Sequence, residues 1–290
     1  MGHGHHQDSS ENIKVAFLLN LSFTILEFLG GYFTNSAAIF ADAVHDLGDC
    51  LALAQAWYFE RLSLREGDVR YTYGYKRFSI FGALISSVVL LVSSTFILIE
   101  SIPRLISPET TYAPGIVVFA VVGVIVNGAA MFRLRHLKGL NARVVALHFL
   151  EDILGWIAVL IMGTILLFKE IYILDPILAI IITVYILVNV FKNIKGLFAV
   201  FMQAVPKGLD LKEIEKAIKG MGKVKDIHHL HLWSLDGEHH VLTAHIVVDC
   251  DITKEDYFSI KNKVKEVIAK FPIYHSTIEI ELEGESCRMK

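Results

Sequence analysis

Two pairs of side chains, each a histidine followed four residues later by an aspartate, are suited to metal binding. His45 precedes Asp49, and His148 precedes Asp152. Residues four apart on an α-helix lie on one face, so each pair can present an imidazole nitrogen and a carboxylate oxygen to one point. If two such helices pack together, the four side chains form the tetrahedral N2O2 set that suits Zn²⁺.

Both pairs fall within long apolar segments. The chain has 290 residues, is 54% hydrophobic and has a mean hydropathy of +0.52, which is more apolar than a typical soluble domain. Segments long enough to cross a bilayer predict six transmembrane helices, over residues 13–34, 37–60, 78–102, 114–134, 143–168 and 173–193. An ionisable group at such depth costs about 3 kcal/mol on insertion scales, so the two pairs indicate a bound cation or a proton path. Polar groups that only pack against one another remain the alternative.

The charges of the predicted loops indicate how the chain is oriented in the membrane. Basic residues recur on one side of the six helices, whereas the other side carries only Arg104 and Lys169. The basic side is expected to be cytoplasmic, and an even number of helices then places both termini there. The net charge of −3 argues against a nucleic-acid partner. We therefore expect a multi-pass protein of the lipid bilayer, in the inner or plasma membrane if the source is prokaryotic.

The chain divides into three predicted regions: a flexible tail with histidines at 1–12, a six-helix transmembrane domain at 13–205 and a cytoplasmic domain at 206–290. The tail histidines are either a metal-collecting segment or a cloning remnant. In the last region, alternating and helical patterns predict the order α-β-β-α-β, with Asp236-Gly237 as a hairpin turn between the first two strands. The fold class is thus an α-helical membrane protein with a ferredoxin-like or metallochaperone-like α/β domain. Because this domain is small for a self-sufficient core, we expect a homodimer.

The three cysteines form neither a C-x-x-C motif nor a disulfide framework. Cys287 is interpreted as a free thiol, with cross-linking or metal binding as alternatives.

Four segments together resemble the cation diffusion facilitator family. They are Ala41–Asp49, His148–Asp152, Tyr71–Arg77 and Ile227–Leu235, and the resemblance extends over nearly the whole chain. It implies a secondary active transporter, not an enzyme, that exports divalent metal cations from the cytoplasm as a homodimer in exchange for protons. It also implies that His45, Asp49, His148 and Asp152 form the transport site. Family members that favour manganese tend to have aspartate at the position of His45, so the resemblance implies a Zn²⁺/H⁺ antiporter.

The resemblance implies one further metal site and argues against another. His228, His245 and Glu281 match positions that hold a regulatory metal in the cytoplasmic domain of many relatives, although glutamate replaces the usual last ligand. The alternative is a solvated sheet face with incidental histidines. A loop site in some relatives uses an aspartate and two histidines, but here the matching residues are Asp68, Tyr71 and Tyr75. The resemblance therefore does not predict metal in that loop.

Three other functions are alternatives to Zn²⁺/H⁺ antiport. An intramembrane metalloenzyme would need a general base beside an open metal position, and the chain has no His-Glu-x-x-His motif. A non-transporting metal sensor would bind the same ions without flux. A broader exporter of zinc, cadmium, cobalt and iron would use the same residues with weaker selectivity.

Overall fold

A computed structural model describes residues 4–63, 65–134, 140–285 and 287 of the chain. The side chains of 4–17 and 140–149 lie outside the described part, and His148 and the tail histidines are among them. The chain forms two compact units. One comprises Met1–Leu62 and Phe81–Ile194, and the other comprises Ser63–Ile80 and Lys195–Lys290. The limits 1–12, 13–205 and 206–290 remain predictions.

Six long helices make up most of the first unit, as the apolar segments predict. They are α1 (Gly4–Thr34), α2 (Ala37–Ser63), α3 (Arg77–Ile106), α4 (Ala113–Leu134), α5 (Leu140–Phe168) and α6 (Leu174–Phe201). Within the described residues, Arg77–Ile106, Leu150–Phe168 and Leu174–Phe201 are long and apolar enough to cross a membrane by themselves, and α4 contributes the shorter apolar stretch Ala113–Ala129. Many of their large apolar side chains are exposed on the isolated chain, as expected for helices that face lipid.

Helices α4 and α5 pack closely around a buried tryptophan. Trp156 on α5 is 1% exposed and lies in a cluster with Ile116, Ala120 and Val159. A Cβ atom at Gly123 of α4 would lie 2.2 Å from the Trp156 ring, so only glycine allows this approach. This contact fixes α5 against α4.

The first turn of α2 is held by a carboxylate from α6. Asp175 accepts hydrogen bonds from the Ser36 hydroxyl at 2.5 Å and from the Ala37 amide at 2.7 Å, and it is fully buried. The Ser36 hydroxyl in turn accepts from the Ile39 amide at 3.3 Å. The free amides at the start of a helix need such acceptors where water is absent. Asp175 therefore fixes where α2 begins.

The second unit contains the predicted α-β-β-α-β domain. Its elements are α7 (Leu211–Lys219), β1 (Val224–Ser234), β2 (His240–Val248), α8 (Lys254–Ile268) and β3 (Ile273–Leu282). The sheet order is β1-β2-β3, with β1 antiparallel and β3 parallel to β2. Thr253 and Asp256 form a capping box, which fixes the start of α8.

The segment between α2 and α3 packs within this second unit. Lys76 Nζ lies 3.0 Å from His239 Nε2 and 4.9 Å from the centre of the Tyr274 ring. His239 Nδ1 lies 2.7 Å from Asp236 Oδ2. Since an ammonium group can only donate, Nε2 accepts from Lys76 and Nδ1 carries the proton that Asp236 accepts. The Tyr73 and His275 rings also meet edge to face, at 5.5 Å.

Candidate metal centres

The first centre joins α2 and α5. His45 Nε2 lies 3.7 Å from Asp152 Oδ1 and 4.0 Å from Asp49 Oδ2. One potential ligand atom from each of the three side chains falls within 4.8 Å of the others. In a tetrahedron with ordinary Zn–N and Zn–O bonds the ligand atoms are about 3.3 Å apart, which is close to the two distances measured from His45.

The fourth predicted member of this centre cannot be placed. The backbone of His148 lies on α5, one helical turn before Asp152, but its side chain lies outside the described residues. Asp152 is 7% exposed, whereas the neighbouring Glu151 is exposed. Neighbouring side chains on a helix point about 100° apart, so Asp152 is buried while Glu151 is exposed.

Three further acids are buried beside this centre. Asp42 and Asp46 on α2 are 5% and 6% exposed, and Glu27 on α1 is 1% exposed. Glu27 interacts electrostatically with both aspartates. The sequence places Asp42 and Asp46 on nearly the same helical face as His45, but the contact with Glu27 depends on how α1 packs. No periodicity within α1 indicates it.

The second centre spans all three strands of the sheet. The hairpin predicts that His228 and His245 lie on adjacent strands, and in the structure they pair directly across β1 and β2. His245 Nδ1 lies 2.6 Å from Glu281 Oε1, and His228 Nε2 lies 3.1 Å from Glu281 Oε2. Glu281 on β3 is 5% exposed. These three predicted residues therefore meet at one place.

A β-bulge directly follows His228. The pairing register of β1 shifts between His228 and His231, and His229 has a positive φ of 48°. A bulge adds a residue and turns the side chains next to it, and a positive φ is strained for histidine. Such strain beside a cluster of ligands is the kind of local cost found at functional sites.

Cys287 also reaches the second centre. Its Sγ lies 3.6 Å from His245 Nδ1, and its thiol hydrogen-bonds to Glu281. Burial alone would raise the pKa of Glu281, but the bonds from His245 and Cys287 and the nearby imidazoles hold the pKa below its usual value. Apart from the residue type, no sequence pattern indicates this contact, because Cys287 lies beyond the last strand.

The loop residue Asp68 is already engaged by its own segment. Its Oδ1 accepts from the amides of Arg70 at 2.8 Å and Tyr71 at 2.6 Å, and its Oδ2 accepts from the Tyr75 hydroxyl at 2.7 Å. The amide of Tyr71 and the hydroxyl of Tyr75 lower the pKa of Asp68 below its usual value. The tyrosines at the positions matching the histidines of some relatives thus tie the loop together.

Family models cover both units of the chain. The cation efflux transmembrane domain matches residues 13–202, and the cation efflux protein cytoplasmic domain matches residues 206–283. The chain is a cation diffusion facilitator. The predicted resemblance and fold class are therefore confirmed, and the chain belongs to a family of multi-pass membrane transporters of metal cations.

Named relatives of this cation diffusion facilitator match it from end to end. A cadmium, cobalt and zinc/H⁺-K⁺ antiporter of Bacillus subtilis is 28% identical over 99% of this chain and 94% of its own length. The zinc transporter ZitB of Pectobacterium atrosepticum is 30% identical over 98% of this chain and 90% of its own. A solved metal-bound C-terminal domain of the CzcD transporter of Cupriavidus metallidurans is 39% identical over 26% of this chain and all of that one, with a TM-score of 0.24.

Proposed function

We propose that this cation diffusion facilitator exports Zn²⁺ from the cytoplasm in exchange for protons, with His45, Asp49, His148 and Asp152 as the transport site. The observation that carries the proposal is the meeting of His45 and Asp49 on α2 with Asp152 on α5. Imidazole ligands favour Zn²⁺ over manganese or magnesium, which prefer oxygen. The relatives named for zinc transport and for antiport support the same conclusion.

Exchange follows from competition for the same atoms. Zinc binds an imidazole nitrogen only where that nitrogen carries no proton, so metal and proton exclude each other there. With the site open to the cytoplasm, neutral His45 and His148 and ionised Asp49 and Asp152 accept Zn²⁺. When a change in helix packing opens the site to the other side, protons displace the metal and are carried back. The mechanism needs no separate coupling device.

Zinc uptake into inverted membrane vesicles under an imposed pH gradient tests the transport site. Asp49→Ala and Asp152→Ala should each abolish pH-driven uptake, because they remove one of four ligands. Glu151→Gln is the matched control, since Glu151 is exposed beside Asp152. Full uptake by either alanine variant would refute the assignment, and zinc binding without flux in the unaltered protein would indicate a sensor.

A broader exporter of zinc, cadmium, cobalt and iron is the second candidate. The name of the Bacillus subtilis relative, which includes cadmium and cobalt, favours it. The same vesicles distinguish the two candidates when each metal competes with zinc. Equal competition by cadmium or cobalt would favour the broader exporter, whereas weak competition by both would favour the zinc-selective one.

The second centre is proposed to regulate transport by controlling dimer formation. The protein would be a homodimer, and both termini of each chain would lie in the cytoplasm. His228, His245 and Glu281 would bind zinc when cytoplasmic zinc is high and strengthen the association of two cytoplasmic domains. Their convergence on one place supports a bound ion, because separate solvated side chains would not bury Glu281. Light scattering of the purified protein with and without zinc tests this regulation, and His245→Ala should remove any zinc-dependent gain in dimer.

A further inference from the structure

We infer that Cys287 is the fourth ligand of the cytoplasmic metal centre, which would make that centre an N2OS site. The inference rests on the regulatory site proposed above and adds to it a residue that follows the last strand. One potential ligand atom from each of His228, His245, Glu281 and Cys287 falls within 4.8 Å of the others. The remaining question is whether these four atoms suit one ion.

The separations are compatible with a zinc site after a small movement of Glu281. In a tetrahedron with ordinary Zn–N and Zn–S bonds, a nitrogen and a sulfur are about 3.6 Å apart and two nitrogens about 3.3 Å. His245 Nδ1 and Cys287 Sγ are 3.6 Å apart. The Glu281 oxygens lie 2.6 Å from His245 and 3.1 Å from His228, so a bound ion requires them to move outward by less than 1 Å.

His228 faces this place without using its nitrogen in a hydrogen bond. Its Nε2 is buried and makes no hydrogen bond to any described residue, although Glu281 Oε2 is 3.1 Å away. The two atoms are therefore close enough for a hydrogen bond but are not aligned for one. A buried nitrogen without a hydrogen bond is unfavourable, and a cation bound beside both atoms would remove this cost.

Metal binding leaves one proton on the His245 ring and releases the thiol proton of Cys287. When the metal takes Nδ1 of His245, the ring keeps one proton on Nε2, which lies 3.5 Å from Glu279 Oε2. A carboxylate opposite the free nitrogen is the usual partner of a metal-bound histidine. Cys287 binds as a thiolate, so one S–H bond breaks, one S–metal bond forms and one proton goes to solvent.

A sulfur ligand changes which metals the centre would hold. Thiolate favours zinc and cadmium over manganese, whereas two imidazoles and a carboxylate discriminate less. The ligand also lies outside the sheet, so metal binding would fix the residues that follow β3. The centre would then respond to the same borderline and soft cations that the transport site is proposed to carry.

Cobalt(II) absorption of the full-length protein in detergent tests the inference. A thiolate bound to Co²⁺ gives a charge-transfer band in the near ultraviolet that imidazole and carboxylate ligands do not give. We expect this band in the unaltered protein and in Cys250→Ser, because Cys250 is exposed and pairs with Asp251. Cys287→Ser should lose the band while keeping cobalt bound through the other three residues. A band retained in Cys287→Ser, or none in the unaltered protein, would overturn the inference.

One further variant separates this inference from the regulatory site itself. His245→Ala should remove the cobalt absorption that belongs to the cytoplasmic centre. If that absorption depends on His245 but shows no thiolate band, the regulatory site stands and Cys287 is not a ligand. If no cobalt absorption depends on His245, the regulatory site and the inference both fail.

Alkylation of Cys287 in the unaltered protein tests the same inference without any substitution. N-ethylmaleimide should modify Cys287 at least about tenfold more slowly with zinc than with chelator, because a bound thiolate is a poor nucleophile. Cys250 in the same sample is the internal control and should react at one rate throughout. Equal rates for Cys287 in both conditions would overturn the inference, even if the serine variant folded poorly.

Discussion

Nε2 of His45 on α2 lies 3.7 Å from Oδ1 of Asp152 on α5, which joins a residue of the first pair to a residue of the second. If these atoms bind the transported ion, as proposed, the residue at position 45 governs metal choice. His45→Asp should lower the zinc-to-manganese uptake ratio about tenfold or more, because oxygen replaces the nitrogen that favours zinc. Uptake of both metals into inverted vesicles measures it. Glu151→Gln should keep the original ratio, and an unchanged ratio in His45→Asp would contradict the site.

Asp175 offers a test of how α2 is positioned. Asp175→Ala removes the acceptor of the Ser36 hydroxyl and the Ala37 amide in a fully buried place. Hydrogen bonds to a charged group contribute about 1.5–3 kcal/mol each, so loss of the two should cost roughly 3 kcal/mol of stability or more. Thermal unfolding in detergent measures the loss. Asp251→Ala, at an exposed aspartate, should unfold like the unaltered protein, and equal melting of both variants would show that α2 is held by other contacts.

Lys76 should protect the segment between α2 and α3 from proteolysis. Lys76→Met keeps the aliphatic stem but removes the hydrogen bond to His239 and the cation over the Tyr274 ring. These contacts contribute about 1–2 kcal/mol, so trypsin should cut after the exposed Arg65 and Arg70 about tenfold faster. Mass spectrometry of the fragments follows the rate.

A control for this experiment lies in the same unit. Lys225→Met breaks an exposed ion pair with Asp249, at 2.9 Å, and leaves the loop contacts intact. Cleavage after Arg70 should then proceed at the original rate. Equal acceleration by both variants would mean that loss of a surface charge, and not release of the loop, governs cleavage.

His240 should make the cytoplasmic domain less stable in mild acid. Burial lowers the pKa of His240, although Asp236 opposes it, so the unfolded chain takes up a proton before the folded one does. The contribution to stability is therefore complete above the ordinary histidine value of about 6.5, and it is lost as the pH falls through the lowered pKa. His240→Phe should reduce this loss.

Hydrogen exchange of β2, measured between roughly pH 7.5 and pH 5.5 with chelator present, reports the effect. After correction for intrinsic rates, protection should fall with pH in the unaltered protein and fall less in His240→Phe. His231→Gln alters an exposed histidine and should behave as the unaltered protein does. Identical pH dependence in His240→Phe would assign the acid sensitivity to other groups.

Hydrophobic pattern and turn chemistry were enough to predict the elements. The six apolar segments became α1–α6, and the predicted hairpin at Asp236-Gly237 joins β1 to β2. Helix spacing also placed His45 beside Asp49, and the predicted hairpin placed His228 and His245 on adjacent strands. All of these relations are local or follow from one hairpin, so the spacing of residues in the sequence determines them.

Contacts between distant segments could not be predicted from the spacing of residues in the sequence. Asp175 caps a helix that begins 138 residues earlier, and Lys76 meets His239 across 163 residues. Cys287 approaches His245 only because of the path of the chain after β3, and Glu27 faces Asp46 only because of how α1 packs. Each contact depends on tertiary packing, and no periodicity within either partner segment specifies it.

The parallel pairing of β3 with β2 determines when the cytoplasmic centre can form during synthesis. Glu281 follows His245 by 36 residues, and α8 must cross the sheet before β3 can take its place. Pairings between strands so far apart form late, because the intervening chain has to be ordered first. A ribosome-bound chain that has made only β1 and β2 holds two histidines without the carboxylate. Assembly of the domain therefore precedes formation of the proposed metal centre.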